Sequence, residues 1–132
     1  MNENLLPIFQ LLQSDLRYQM QAYQFVQDSL AFAQEVLPQE TPQPGEDPHL
    51  TGQQLCEAIR LFAIDQFGYM SKTVLNNWGI HETRDFGEIV YNLIDIGLLR
   101  PSEKDEREHF ADVYSFEKAF VEDFQIHGQD PA

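Results

Sequence analysis

Apolar side chains recur along the chain at the three- and four-residue spacing of amphipathic helices. The longest run predicts a helix of about six turns over residues 15–37. Its buried stripe consists of Leu16, Met20, Tyr23, Val26, Leu30, Ala33 and Leu37. A shorter helix is predicted before it, capped by Asn4 and burying Leu5, Phe9 and Leu12. Residues 1–37 are therefore expected to form a helical pair.

Residues 38–48 interrupt this pattern with four prolines and one glycine. Such a composition predicts an irregular connector with extended character. The sequence thus divides into a helical pair at 1–37, a proline-rich connector at 38–48 and a second unit at 49–132. Because the helices after the connector have complete local signals of their own, residues 49–132 are expected to fold autonomously.

Three further helices are predicted between residues 51 and 97. The first begins with a capping box formed by Thr51 and Gln54. The second carries Met70, Val74 and Trp78 at four-residue spacing. Thr83 is expected to cap the third helix, and Gly97 to end it. The apolar face of this third helix comprises Phe86, Ile89, Val90, Leu93 and Ile94.

The pattern changes after Gly97. Residues 110–114 alternate with a period of two, which predicts a short β-hairpin pairing them with residues 98–100. The spacing of Ser102 and Asp105 is also compatible with a helical turn at the hairpin's tip. Ser115 is expected to cap a last helix through Phe116, Phe120 and Phe124.

Three helices followed by a hairpin resemble a winged helix-turn-helix domain over residues 50–114, most closely in the segment 89–99. The fold expected is therefore mostly α: an N-terminal helical pair plus a winged-helix-like three-helix unit with a short β-hairpin. This resemblance implies that the third helix could enter the major groove of DNA.

Charge argues against DNA as the partner. The chain has 22 acidic and 8 basic residues and a net charge of −14, which opposes binding to phosphate backbones and anionic membranes. The third helix offers Arg84 at its start but also Asp85 and Glu88. A winged-helix scaffold used for protein contact is therefore the favoured interpretation, and a DNA-binding regulator is the alternative.

The candidate interaction surface combines two groups of residues. The rings of Tyr18, Tyr23, Phe25 and Phe32 cannot all fit within one narrow buried stripe, so Tyr18, Tyr23 and Phe25 are candidates for contact with a partner. The second group is Arg84, Asp85, Gly87 and Glu88 at the start of the third helix. Gly87 costs about 1 kcal/mol in a helix relative to alanine, which indicates close packing of another helix or the approach of a ligand.

No catalytic, cofactor-binding or metal-ligating residue is assigned. The four histidines lack the spacing of paired zinc ligands, and a metal held by His81, Asp85 and Glu88 is only a weaker alternative. Cys56 has no activating base beside it in sequence and is expected to be a small core residue. No cofactor is expected.

Several strings across the chain resemble a family of small uncharacterised proteins from planctomycete and verrucomicrobial bacteria. They lie at residues 17–18, 22–26, 49–56, 67–70, 74–80 and 83–90, and the segment from 78 to 90 is the most specific. The resemblance implies a bacterial cytoplasmic protein and assigns no site.

The sequence therefore predicts a non-enzymatic adaptor or regulatory module that binds a protein partner or self-associates. A DNA-binding winged-helix regulator is the alternative, and a small enzyme whose site forms in an oligomer is the third possibility. Residues 1–13 lack the features of a signal peptide, and no apolar run is long enough to span a membrane, so a cytoplasmic location without membrane contact is expected.

Overall fold

The computed structural model describes residues 5–36, 51–99 and 107–122, and helices account for most of these. The α-helices are α1 (Leu5–Ser14), α2 (Met20–Val36), α3 (Gly52–Phe67), α4 (Ser71–Asn77) and α5 (Thr83–Asp95). Two 3₁₀ turns, Gly68–Met70 and Arg107–Phe110, and one π-helical segment, Glu117–Glu122, complete the elements. The described ranges contain no β-strand. The mostly α expectation is confirmed.

One hydrophobic core joins the N-terminal helices to the later ones. Helix α2 packs against both α3 and α5. Tyr23 and Val26 of α2 are completely buried in the same cluster as Ile59 of α3 and Phe86 of α5. The predicted connector, residues 38–48, lies outside the described residues. The helical pair and the second unit thus share their buried surface.

The start of α2 differs from the prediction. The helix begins at Met20 instead of residue 15, and residues 15–19 form a non-helical loop between α1 and α2. The polar groups of this loop bond to distant elements, as described below, which replaces the bonds of an additional helical turn. Leu16 was predicted to be buried and is instead one of the most exposed apolar side chains.

The predicted start of α3 is confirmed. Thr51 Oγ1 accepts a hydrogen bond from Gln54 N at 3.1 Å, and Gln54 Oε1 accepts one from Thr51 N at 2.9 Å. This reciprocal capping box satisfies two backbone donors at the helix end. The predicted cap of the last helix is also present, because Ser115 Oγ accepts a hydrogen bond from Lys118 N at 3.1 Å. Phe124 lies outside the described residues.

The predicted cap of α5 is wrong. Glu82 is the N-cap residue, and Thr83 is the first residue of the helix. The Thr83 hydroxyl is buried and donates to the carbonyl oxygen of Phe110 at 2.6 Å, while Val113 N donates to it at 3.2 Å. Thr83 therefore anchors a distant segment instead of capping its own helix.

The predicted β-hairpin is also wrong within the described residues. The amide nitrogens of Leu98 and Leu99 both donate to the carbonyl oxygen of Leu93, at 2.9 and 3.3 Å. They complete the end of α5, so these donors are unavailable to a strand ladder. Residues 107–110 form a 3₁₀ turn, followed by a turn with Asp112 at φ 52°. The winged-helix expectation thus lacks its wing here, while Arg100 and the predicted tip lie outside the described residues.

None of the helices in the described parts of the chain is both long enough and apolar enough to cross a membrane.

Candidate functional site

The α1–α2 loop, residues 15–19, forms a polar junction with two later helices. Gln19 N donates to the carbonyl oxygen of Trp78 at 3.1 Å, and Gln19 Nε2 donates to that of Asn77, also at 3.1 Å. These carbonyls lie at the C-terminal end of α4, where a helix lacks its own backbone donors. The loop therefore caps α4 from a position about 60 residues earlier in the chain.

Backbone contact between this loop and α4 requires a glycine. Gly79 has φ +97°, a backbone conformation that residues with a Cβ atom rarely adopt. A Cβ atom on Gly79 would lie 2.0 Å from the carbonyl oxygen of Arg17. The absence of a side chain thus allows the loop to lie directly on the turn after α4.

The loop is joined to the start of α5 by Tyr18 and Asp85. Tyr18 is only 3% exposed, and its hydroxyl donates to Asp85 Oδ1 at 2.6 Å. Asp85 Oδ2 accepts two further hydrogen bonds, from the backbone nitrogens of His81 at 2.8 Å and Glu82 at 3.2 Å. Burial, followed by the bond to Asp85, raises the pKa of Tyr18 well above its usual value. Tyr18 therefore remains a protonated donor.

A second connection runs through Asp15. Arg17 donates to both carboxylate oxygens of Asp15, with its shortest contact at 2.8 Å. Asn92 Nδ2 on α5 donates to Asp15 Oδ2 at 3.0 Å and to Tyr23 Oη at 3.2 Å. The hydrogen bond from Arg17 holds the pKa of Asp15 well below its usual range, so this carboxylate is ionised.

Glu88 on α5 is shared by two arginines. Arg17 Nη1 lies 3.3 Å from one of its oxygens, and Arg107 forms an ion pair with the other. Each arginine also lies over a tyrosine ring: Arg107 over Tyr91 with its guanidinium carbon 4.7 Å from the ring centre, and Arg17 over Tyr18 at 5.1 Å. The junction thus uses both cations to hold three chain segments together.

The structure brings four of the seven predicted site residues into this junction: Tyr18, Tyr23, Asp85 and Glu88. Phe25 is buried elsewhere, against the rings of Phe62, Phe67 and Trp78. Arg84 is the only one of the seven that is exposed, with its Nε 3.7 Å from Glu82. The predicted residues therefore do not form one continuous exposed surface.

Gly87 accommodates a side chain of the same protein. A Cβ atom at this position would lie 2.8 Å from the Phe110 ring, which is itself almost completely buried. A Cβ atom on Gly52 of α3 would similarly lie 2.7 Å from His109 Cβ. The two glycines let the 107–110 turn pack closely on α3 and α5. Close packing is thus present at Gly87, with a turn in place of the helix that the sequence suggested.

The junction has the character of a structural network more than a reactive site. Asp15 and Asp85 are hydrogen-bonded within the chain, and Glu88 forms ion pairs within it. In residues 5–36, 51–99 and 107–122, no group of three His, Cys, Asp or Glu side chains could hold a metal ion. The grouping of His81, Asp85 and Glu88 as ligands is therefore not formed. Burial raises the pKa of the Cys56 thiol to about 12, which disfavours the reactive thiolate.

Sequence reasoning missed Asp15, Arg17, Asn92 and Arg107. One available signal was the Asp15–Arg17 pair itself, because these are the only charged residues between Glu3 and Asp28, in a stretch dominated by apolar residues and glutamine. Nothing in the local pattern indicates the pairing of Arg17 with Glu88, which are 71 positions apart.

A separate cleft of about 420 Å³ lies beside the start of α5. Its lining includes His81 and Glu82 before the helix and Asp112, Tyr114 and Phe116 from the segment that follows the 107–110 turn.

Comparisons of the chain with protein families, curated proteins and solved structures find no match.

Proposed function

We propose that this protein is a non-enzymatic adaptor or regulatory module that binds another protein through the outer face of α1. The observation that supports this proposal is the composition and exposure of that helix. It carries no charged residue, although the chain has a net charge of −14. Leu6 is 55% exposed and Phe9 is 39% exposed, and their three-residue spacing places them on one helix face.

The opposite face of α1 is already used. Ile8 and Leu11 are buried against the rest of the protein. A helix that is apolar on two faces is normally covered on both. Leu16, just beyond the helix, is 85% exposed and extends the apolar character of this region. Single exposed leucines are ordinary, but several on and beside one uncharged helix are typical of an interaction site.

The chemistry of this surface favours a protein partner with an apolar face bordered by basic residues. Two copies of this chain would each contribute a charge of −14, so electrostatic repulsion opposes self-association. Arg84, the base that could have faced a DNA phosphate, lies beside the carboxylate of Glu82. We also propose, as the sequence suggested, that the protein is bacterial and cytoplasmic.

The test is a double variant, Leu6→Ser/Phe9→Ser, compared with Gln21→Ser/Gln24→Ser on α2. Both pairs are exposed and three residues apart in a helix, so each variant introduces the same two serines, but only the first changes α1. Circular dichroism and urea unfolding verify that both variants fold. Affinity capture from the native cell, with quantitative mass spectrometry, should recover a partner with the unchanged protein and the glutamine variant but lose it with the Leu6/Phe9 variant.

Equal recovery of the same proteins by all three forms would contradict the proposal. Sedimentation at low and moderate salt tests self-association, which would replace a heterologous partner if it required Leu6 and Phe9. A mobility-shift assay tests the DNA alternative. Tight, salt-sensitive binding of duplex DNA that Arg84→Ala abolishes would support the regulator instead.

A further inference from the structure

The cleft beside the start of α5 combines negative charge with aromatic rings. Glu82 and Asp112 are exposed acidic residues on its lining, which also includes two aromatic residues, the partly buried Tyr114 and the almost completely buried Phe116. Among the described residues that line it, none is a lysine or an arginine. Its volume of about 420 Å³ falls in the size range of small-molecule pockets.

The walls of this cleft are held in place by internal hydrogen bonds. Thr83 binds the backbone of Phe110 and Val113, which fixes the segment carrying Asp112 against α5. The Tyr114 hydroxyl donates to the carbonyl oxygen of Cys56 at 2.7 Å, which fixes this ring against α3. A site whose walls are already ordered loses less entropy when a ligand binds.

The same protein shows which ligand suits this combination of groups. Arg107 is held by the carboxylate of Glu88 and the ring of Tyr91. Arg17 is held by carboxylates and by the ring of Tyr18. A planar guanidinium both donates to carboxylates and stacks on aromatic rings, which an ammonium group does less well. The described lining of the cleft offers the carboxylates of Glu82 and Asp112 beside aromatic residues, and Asp112 has no arginine among the ion pairs found in the described residues.

We propose that the cleft between residues 81–83 and 112–116 binds an arginine side chain of a peptide segment from a partner protein. The negative charge of the whole chain attracts such a segment. Arg84 lies 3.7 Å from Glu82 and competes for that carboxylate, whereas Asp112 comes from the other wall of the cleft. The described lining of the cleft includes no residue of α1, so this site gives the protein partner proposed above a second point of contact.

The probe is N-acetyl-arginine amide, added to isotope-labelled protein and followed by NMR. The neutral control is N-acetyl-citrulline amide, which has nearly the same shape without the charge. The arginine probe should shift the amide signals of residues 81–83 and 112–116 in a saturable manner, and added salt should weaken it. The citrulline probe should produce no saturable shift.

Three variants test the residues. Asp112→Asn should weaken arginine binding roughly two- to fivefold, the range expected for one exposed charge contact, and asparagine tolerates the positive φ at this position. Arg84→Gln should strengthen binding by a similar factor, because it removes the competing cation. Asp28→Asn, an exposed carboxylate on α2, removes the same charge elsewhere and should change little.

Saturable binding of the citrulline probe, shifts distributed over the whole surface, or unchanged affinity in Asp112→Asn would overturn the proposal. If Asp112→Asn fails to fold, Glu82→Gln takes its place and must weaken binding. The Leu6→Ser/Phe9→Ser variant should bind the arginine probe normally. A result in which the cleft binds but α1 captures no partner would therefore reject the proposed α1 surface and retain this site.

Discussion

Gly79 offers the most direct test of the junction between the α1–α2 loop and the later helices. Its Cβ position lies 2.0 Å from the carbonyl oxygen of Arg17, and its φ is +97°. Gly97 is a matched control, because it also has a positive φ, +81°, but no described atom lies within 4 Å of its Cβ position. Alanine at Gly97 thus introduces backbone strain alone, whereas alanine at Gly79 adds a steric clash with the loop.

The two costs can be estimated separately. Left-handed backbone strain at an alanine costs about 1–2 kcal/mol, so Gly97→Ala should lower the free energy of unfolding by about that amount. Forcing an extra methyl group into a packed contact typically adds about 1–3 kcal/mol. Gly79→Ala should therefore cost about 2–5 kcal/mol in total. This is a large part of the stability of an ordinary domain, which is about 5–15 kcal/mol.

Urea unfolding followed by Trp78 fluorescence measures both variants. Gly79→Ala should shift the midpoint further than Gly97→Ala, with little change in the slope if both variants unfold in two states. Equal losses of stability in the two variants would refute the reasoning. That result would mean that the loop moves off Gly79 at little cost, and hence that the junction contributes little to the fold.

Three further predictions concern the core and its titratable groups. A fragment of residues 49–132 should lack cooperative unfolding in urea, because it loses buried Tyr18, Tyr23, Phe25 and Val26. At about 1.5–3 kcal/mol for each side chain, this loss is comparable to the stability of a whole domain. A cooperative transition would instead support the autonomous unit predicted from the sequence. Cys56 should resist a thiol-specific reagent in the native protein and react in urea, because burial shields the thiol and raises its pKa to about 12. Rapid stoichiometric labelling of the native protein would contradict this. Because the pKa of Asp15 is lowered from 3.8 in the folded state, its stabilising contribution is complete above that value and is lost as the pH falls below it. Asp15→Asn should therefore flatten the acid side of the curve of unfolding free energy against pH, and an unchanged curve would exclude this contribution.

Features of the fold that depend on near neighbours could be predicted from the sequence. The capping box of Thr51 and Gln54 is an example, because both partners lie within one helical turn. The β-hairpin prediction was wrong because strand pairing depends on a second, separate segment of the chain. Alternation over residues 110–114 indicates which side chains face inward but not whether a partner strand is available. The backbone nitrogens of Leu98 and Leu99 instead donate hydrogen bonds to the carbonyl oxygen of Leu93.

In the candidate site, too, the contacts between distant residues could not be predicted from the sequence. Asp85 was correctly expected to lie at the start of α5, where the positive end of a helix stabilises a carboxylate. Its third hydrogen bond comes from Tyr18, 67 positions earlier, and no periodic pattern encodes that contact. Tyr18 was proposed as a partner contact because its ring did not fit a narrow buried stripe. Instead, residues 15–19 form a loop between α1 and α2, and this loop places the Tyr18 ring in the core beside α5.

The composition of residues 38–48 illustrates why a proline-rich segment is an ambiguous sign of domain organisation. Prolines disfavour regular structure within the segment, but they do not determine what its flanking helices contact. True domain boundaries are places that few contacts cross. Here α2 shares its core with α3 and α5, and the α1–α2 loop binds α4 and α5 through backbone and side-chain groups. Tyr23 and Phe25 of α2 are consequently buried within the protein, whereas Leu6 and Phe9 on the outer face of α1 are exposed. We therefore place the proposed partner surface on α1.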